Sequence, residues 1–272
     1  RDDVESRGLG DVYKRQTQVT DLETRSTMFS LISGNGFTRK GYPHRALFSI
    51  PFIGLDNQGF PMFEITDKNN GTILVTKDNY RALNFQEREH LDFLKYEGPA
   101  DPTITGSLGN IFSYKNWKLN VFVTYSAGNK VRLDPVFKST YNDLDATPKD
   151  FKNRWRVPGD ENSTDIPVIS ARRHHQLYSN LNLGYNAYNY STARIADGGF
   201  VRMKEISLTY TLPGSLLKGK LLKSASLKVQ ATNLFLIYSD RKLNGQDPEF
   251  FRSGGVSAPV PKQFTCTLRL GF

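Results

Sequence analysis

A single cysteine, Cys266, is the only thiol in 272 residues. One thiol excludes an internal disulfide framework and a cysteine-rich zinc site, and on the apolar parity of its segment it reads as a small hydrophobe. Long apolar runs are missing as well. No stretch of about 18 apolar residues occurs, so no transmembrane helix is predicted. The 38% hydrophobic content and mean hydropathy of -0.48 are too polar for a helical membrane protein. This excludes helical spans only, because membrane strands alternate and leave a weak hydropathy signal. Contiguous basic runs are lacking too. The net charge is +9, yet the cations are dispersed through Arg39-Lys40, Lys115-Lys118, Arg172-Arg173, Lys218-Lys223 and Arg241-Lys242. With no helix-turn-helix or RNA-binding signature, no nucleic-acid partner is expected.

Catalytic and metal-binding patterns are equally scarce. Ser30, Ser33 and Ser107 lie in no Gly-x-Ser-x-Gly setting. Glu161 and Asp165 are the acids that a glycosidase pair would need, but acids are ordinary in a polar loop. Gly34-Asn35-Gly36 lacks a phosphate-loop Lys-Ser/Thr and reads as a turn. His174-His175 has no cysteine or carboxylate cluster beside it, and adjacent residues do not share a face. Asp143 and Asp145 have the alternate spacing that opens a calcium loop, with Asp150 nearby. The turn glycine and closing glutamate are absent, so solvated acids are expected. The chain is read as a non-enzyme with no cofactor and no metal.

What is present is alternation. From Lys262 to Phe272, the residues Phe264, Cys266, Leu268, Leu270 and Phe272 fall on one parity, and Gln263, Thr265, Thr267, Arg269 and Gly271 on the other. A β-strand turns these to opposite faces, and the length suits a tilted strand crossing a bilayer, roughly 9–11 residues. Trp117, Leu119, Val121, Val123 and Tyr125 repeat the pattern. So do Leu108, Phe112 and Tyr114, and only Lys115-Asn116 separates these two runs, which predicts a two-residue hairpin with Asn116 at a positive-φ position. Gly199 to Thr211 forms a third run, although Arg202 and Lys204 share parity with Phe200, Ile206, Leu208 and Tyr210. That clash is expected to be relieved by the first half of the strand standing above the hydrocarbon. Ala225 to Ile237 is a fourth run. Ala46 to Leu55, Phe60 to Thr66 and Thr72 to Thr76 are further strand candidates.

The connections alternate in length. Lys115-Asn116 and Pro213 to Ser224 are tight, whereas Gly128 to Asp197 and Ser239 to Pro261 are long. Short turns at one end and long loops at the other are the asymmetry of outer-membrane barrels. The fold is therefore read as all-β: an antiparallel transmembrane β-barrel portion of about seven or eight strands with long extracellular loops. The competing architecture is a soluble or surface-attached β-sheet module. A short helix is expected within Thr140 to Arg156. Residues 1–16 are strongly charged and show no strand or helix periodicity. Gly8 to Gln16 resembles translated sequencing-adapter sequence, so 1–16 is expected to be a non-native leader, with the chain truncated at its front and 17–272 carrying the fold.

An ordered series of short motifs spans nearly all of residues 17–272. It includes Gly41-Tyr42-Pro43, Gly54-Leu55-Asp56, Gly98-Pro99, Phe112-Ser113-Tyr114-Lys115-Asn116-Trp117, Asn153-Arg154-Trp155 and Pro158-Gly159-Asp160. Downstream come Asp197-Gly198-Gly199-Phe200-Val201-Arg202-Met203-Lys204, Leu208-Thr209-Tyr210-Thr211-Leu212-Pro213, Asn233-Leu234-Phe235, Gly245-Gln246-Asp247-Pro248-Glu249 and the final strand. In this order they resemble the carboxy-terminal part of a SusC/RagA-type TonB-linked outer-membrane transporter. The resemblance implies a piece of a much larger plugged barrel of about 22 strands, located in the bacterial outer membrane. Such a protein imports oligosaccharide or, less often, peptide. Its partners would be TonB, reached through a region absent here, a SusD-like surface lipoprotein and outer-membrane lipid. The alternative function is carbohydrate binding by a free-standing β-sheet module.

Candidate ligand contacts are the loop aromatics Trp155, Tyr178, Tyr185 and Tyr188, with Tyr190 beside them. Their rings are suited either to stacking on sugars or to packing the loop or a partner. Phe272 resembles the terminal aromatic by which barrel proteins are recognised for membrane assembly, and it also suits simple lipid anchoring.

Overall fold

The computed structural model describes residues 5–23, 32, 38–67, 71–84, 92–137, 148–218, 221–251 and 261–272. Within them the chain divides between a wall and a loop body. The wall is one six-stranded antiparallel sheet in the order β1-β7-β8-β11-β12-β13. Its strands are β1 (Glu5–Lys14), β7 (Ile104–Tyr114), β8 (Trp117–Ala127), β11 (Phe200–Thr211), β12 (Ser224–Ser239) and β13 (Gln263–Gly271). The remaining strands belong to the loop body: β2 (Ala46–Ser49), β3 (Phe52–Leu55), β4 (Pro61–Asp67), β5 (Gly71–Val75), β6 (Lys95–Pro99), β9 (Lys130–Arg132) and β10 (Ile195–Asp197). Two helices, α1 (Arg172–Leu177) and α2 (Leu181–Asn189), lie there too.

Register gives the wall two unlike faces. Tyr114, Trp117, Tyr210, Leu227 and Leu268 form one cross-strand row, and Phe112, Leu119, Leu208, Val229 and Cys266 the next. Directly opposed residues share a face, so an apolar surface runs across five strands. The other face carries the rows Ser113, Lys118, Thr209, Lys228, Thr267 and Ile111, Asn120, Ser207, Gln230, Thr265. There Asn120 Nδ2 donates to Glu205 Oε1 at 3.2 Å, and Lys228 stands 3.9 Å from the same carboxylate.

The apolar rows fail at β1. Ser6 lies opposite Phe112, Gly8 opposite Asn110 and Gly10 opposite Leu108, and all ten residues of β1 are exposed. Backbone pairing holds this strand, with one side-chain bond, Ser6 Oγ donating to Asn110 Oδ1 at 3.0 Å. The Lys115-Asn116 hairpin forms as expected, but the positive φ falls on Lys115 (50°) rather than on Asn116.

The wall has fewer strands than the alternating runs suggested. Ala46 to Leu55, Phe60 to Thr66 and Thr72 to Thr76 all become strands, but in the small sheets β2-β6 and β3-β4-β5 outside the wall. Pro51 is the physical break in the first run: it lacks a ladder donor, so β2 and β3 enter different sheets. The described parts of the long connections are likewise folded. Residues from 38–99 and 128–197 enclose a core containing Phe48, Ile50, Phe63, Tyr80, Phe137 and Tyr188. Asn189, at the end of α2, closes this core by accepting from the Val136 and Phe137 amides (3.0 and 3.3 Å) and donating to the Phe137 carbonyl at 2.8 Å. The helix expected within Thr140 to Arg156 appears as a 3-10 turn at Lys149–Asn153. Residues 138–147, with Asp143 and Asp145, lie outside the described residues, as do Ser30, Ser33 and Gly34-Asn35-Gly36.

The three long connections, 15–103, 128–199 and 240–262, all leave the same end of the wall, where Ile104, Ala127, Phe200 and Ser239 lie. The tight ones close the other end. The loop body is thus stacked on one mouth of the sheet.

Candidate functional site

Where the loop body meets the polar face of the wall, the structure forms a cleft of ≈ 670 Å³. Thr105, Ser107, Thr124 and Ser126 supply the wall side together with Asp11 and Tyr13 of β1, and Asn129, Pro248, Glu249 and Phe251 come from the loops.

A β-bulge in β11 determines what the wall offers here. Met203 pairs with Val123 and Glu205 with Phe122, so Lys204 is the extra residue against β8. An extra residue reverses face parity along the strand. Phe200 and Arg202 therefore share the polar face with Ser126 and Thr124, while Ile206, Leu208 and Tyr210 keep the apolar one. This corrects the expectation that the two charges share a face with the apolar residues and escape lipid by height. The bulge instead places Arg202 on the inner face, and Lys204 lines the cleft.

Arg202 is buried there and meets Asp247 Oδ1 at 2.5 Å and Oδ2 at 2.6 Å. Its Nε lies 3.2 Å from Glu249 Oε2. Asp247 also accepts from the Glu249 amide at 3.1 Å, capping the 3-10 turn Pro248–Phe250. The β12–β13 connection is stitched further by Asp240, which accepts from the Asp197 amide at 2.7 Å, and by buried Leu243 against Leu133 and Ala196. These contacts hold Pro248, Glu249 and Phe251 against the cleft. At its other end Asn129 packs on Gly198, where a Cβ would lie 2.2 Å from the Asn129 amide nitrogen.

A smaller cleft of ≈ 370 Å³ lies between the Lys149–Asn153 turn and residues 242–246. One side is formed by Arg194, which bridges Asp150 at 3.1 Å and donates to the Asp134 carbonyl at 2.8 Å. Asp150, a candidate calcium-loop acid in sequence, therefore serves an ion pair and also accepts from Asn244.

The loop aromatics lie within the loop body. Trp155 is only 8% exposed. Its indole N–H donates to Glu161 at 2.9 Å, and its ring covers Gly59, where a Cβ would come within 2.5 Å. Tyr185 donates to the Val168 carbonyl at 2.7 Å and packs edge-on against Phe137. Tyr188 lies between Phe52 and Phe137, and burial pushes its phenol well above the ordinary tyrosine range. Tyr178 is half-buried, edge-on to Phe60, with the Lys77 ammonium 5.5 Å from its ring centroid. Tyr190 lies under the Arg132 guanidinium, 5.7 Å from it. Trp155, Tyr185 and Tyr188 are buried within the loop body, and Tyr178 and Tyr190 are half-buried.

Glu161 accepts from Trp155 and from the Gly159 amide, and these bonds hold its carboxyl below the usual range. His175 meets Ser170 Oγ at 3.0 Å, and His174 Nδ1 accepts from the Ala171 amide at 3.2 Å. Among the described residues no three His, Cys, Asp or Glu side chains gather as metal ligands. Phe272 follows β13 on the parity of Leu268 and Leu270 and is exposed. In the sequence the bulge at Lys204 shows only as two charges interrupting an apolar parity just before it resumes.

No family model matches the chain. Over 155 residues it is 26% identical to TonB-dependent receptor P3 of Formosa agariphila, a span covering 57% of this chain and 14% of that protein. In structure it is similar to the RagAB peptide transporter, with a TM-score of 0.67, 22% identity, and coverage of 99% of this chain and 27% of the other. The RagAB peptide importer in its closed-closed state gives a TM-score of 0.66 at 20% identity, covering 99% of this chain and 28% of the other. The chain thus spans less than a third of the length of each of these three. Both comparisons bear out the resemblance read from the sequence: the chain is similar to a TonB-dependent receptor in sequence and to a RagA-type transporter in fold, with a wall that is an open portion of an antiparallel barrel.

Proposed function

We propose that this chain is part of an outer-membrane, TonB-dependent importer of oligosaccharides, acting through binding and conformational change with no covalent chemistry. The observation that carries the reading is the wall: an apolar face five strands wide backed by a polar face, with every long connection leaving from one mouth. Lipid against the first face and an aqueous lumen against the second satisfy both sets of side chains. Six strands leave two unpaired edges, so the wall closes only with strands outside this chain. TonB contact and energy coupling belong to those other parts, and a SusD-like surface lipoprotein is the expected partner over the loop mouth. Phe272, exposed past the last strand, is the residue for assembly recognition.

Deleting the full gene and following uptake of labelled oligosaccharides by energised cells tests this reading. Uptake that disappears on deletion and returns with the intact gene supports it; unchanged uptake contradicts it. The competing reading, a β-sheet carbohydrate-binding module, requires that the chain run as a folded monomer without detergent.

Residues 1–16 are proposed to be a non-native leader. The failure of the apolar rows at Ser6, Gly8 and Gly10 supports this. Sequencing the native locus decides it, and the same codons found in frame there refute it.

A further inference from the structure

We propose that the cleft on the inner face of the wall is an anion site in which Lys204 holds a carboxylate, supplied by an acidic oligosaccharide. This rests on the import reading above and narrows its substrate class.

The argument starts from the bulge. A bulge re-aims a side chain at the cost of ladder pairing, and the residue re-aimed here is a lysine. The other cations at the cleft have acids. Arg202 is held by Asp247 and Glu249, and Arg45 lies 2.6 Å from Asp101. Lys204 is half-buried in the cleft lining, and among the described residues its ammonium has no hydrogen-bond or ion-pair partner. A partly desolvated charge left unpaired is unfavourable, and it is retained where something outside the chain completes it. Glu249 stands 3.2 Å from Arg202 Nε, and Asp11 of β1 also lines the cleft, but among the described residues neither forms an ion pair with Lys204.

The rest of the lining suits a sugar: Thr105, Ser107, Thr124 and Ser126 carry hydroxyls, and Phe200 and Phe251 offer apolar faces to rings. Asp11 and Tyr13 of β1 also line the cleft, whereas Lys204, Phe200 and Phe251 belong to other elements.

The test uses the full-length transporter in detergent, with trigalacturonate and its trimethyl ester as probes in equilibrium titrations. The expected result is at least tenfold tighter binding of the acid than of the ester. Lys204→Gln should erase that preference while leaving ester affinity within about twofold, and Lys204→Arg should keep it. No acid preference overturns the proposal. If Lys204→Gln then also lowers the melting temperature of the ligand-free protein and Lys204→Arg restores it, the partner of Lys204 is an Asp or Glu of the same polypeptide outside this chain and the cleft is not a ligand site. Uptake of the acid and of the ester by energised cells separates the two readings. Gene-dependent uptake of both, with the acid unaffected by Lys204→Gln, sinks the anchor alone, and gene-independent uptake of both sinks the import reading.

Discussion

The wall and the loop body use the same apolar side chains in opposite ways. In the loop body Phe48 and Phe63 are fully buried, and Tyr188 is 1% exposed. In the wall Phe264 is 75% exposed and Leu268 62%, within a surface of aligned apolar rows. The loop body has an interior and stabilises itself by burial. The wall has no interior of its own, and its sheet order is maintained by backbone ladders and by what lies against each face. An apolar patch of this extent is characteristic of a surface meant to be covered. The lesson is that residue composition alone does not separate the two regions, whereas the direction of the apolar face does.

That difference sets how each region should fail. The largest effect is expected from Tyr188→Ala, which empties a site between Phe52 and Phe137 and should cost the loop body about 3–5 kcal/mol. Hydrogen exchange on the full-length protein should show α2 and β3 opening while the wall strands stay protected. Equal loss of protection in both regions would mean that they unfold as one unit. Arg202→Ala is the next test, at about 3–5 kcal/mol locally, because it strands the buried Asp247 carboxylate. Limited proteolysis should then cut between residues 240 and 251, with the wall again intact.

The smallest effect is a pH dependence confined to the loop body. Burial raises the Glu97 carboxyl above its ordinary value, partly offset by Lys95 and Arg132. Because the folded pKa lies above the unfolded one, the native state holds the proton more tightly. The associated stability is present at acid pH and is lost as pH rises through the folded value. Melting of the loop body should therefore shift downward from about pH 4.5 into the raised range, and Glu97→Gln should flatten that slope. A wild-type profile already flat in this range would refute the assignment.

The wall was legible in the sequence because its signal is local. Alternation at Trp117 to Tyr125 and Gln263 to Gly271 fixes two faces with no tertiary knowledge, and the two-residue Lys115-Asn116 link fixes a hairpin. The loop body was not legible, because its short strands pair across long stretches of chain: β2 with β6, and β9 with β10. Pro51 showed only that a strand would break there, not where its halves would go. The loop aromatics illustrate the same limit. Tyr185 and Tyr188 carry identical chemistry as sugar platforms and as core residues, and only the packing of Phe137 and Phe52 against them distinguishes the roles. The clash of Arg202 and Lys204 with an apolar parity was visible, but assigning it to a bulge required the register on both neighbouring strands.

The central claim is that one face of this wall meets lipid and the other meets the lumen, and it can be tested at adjacent positions. Leu208 pairs with Leu119 and Val229 on the apolar face, and Ser207 pairs with Asn120 and Gln230 on the polar one. In the full-length protein with Cys266→Ser, a nitroxide label should be placed at Leu208→Cys or Ser207→Cys and the protein reconstituted in bilayers. The account predicts that oxygen, which concentrates in lipid, relaxes the label at 208 far more than a water-soluble nickel reagent does, and that the label at 207 shows no such preference. Relaxation by the aqueous reagent at 208 equal to that by oxygen would place the apolar face against water or protein and contradict the barrel reading.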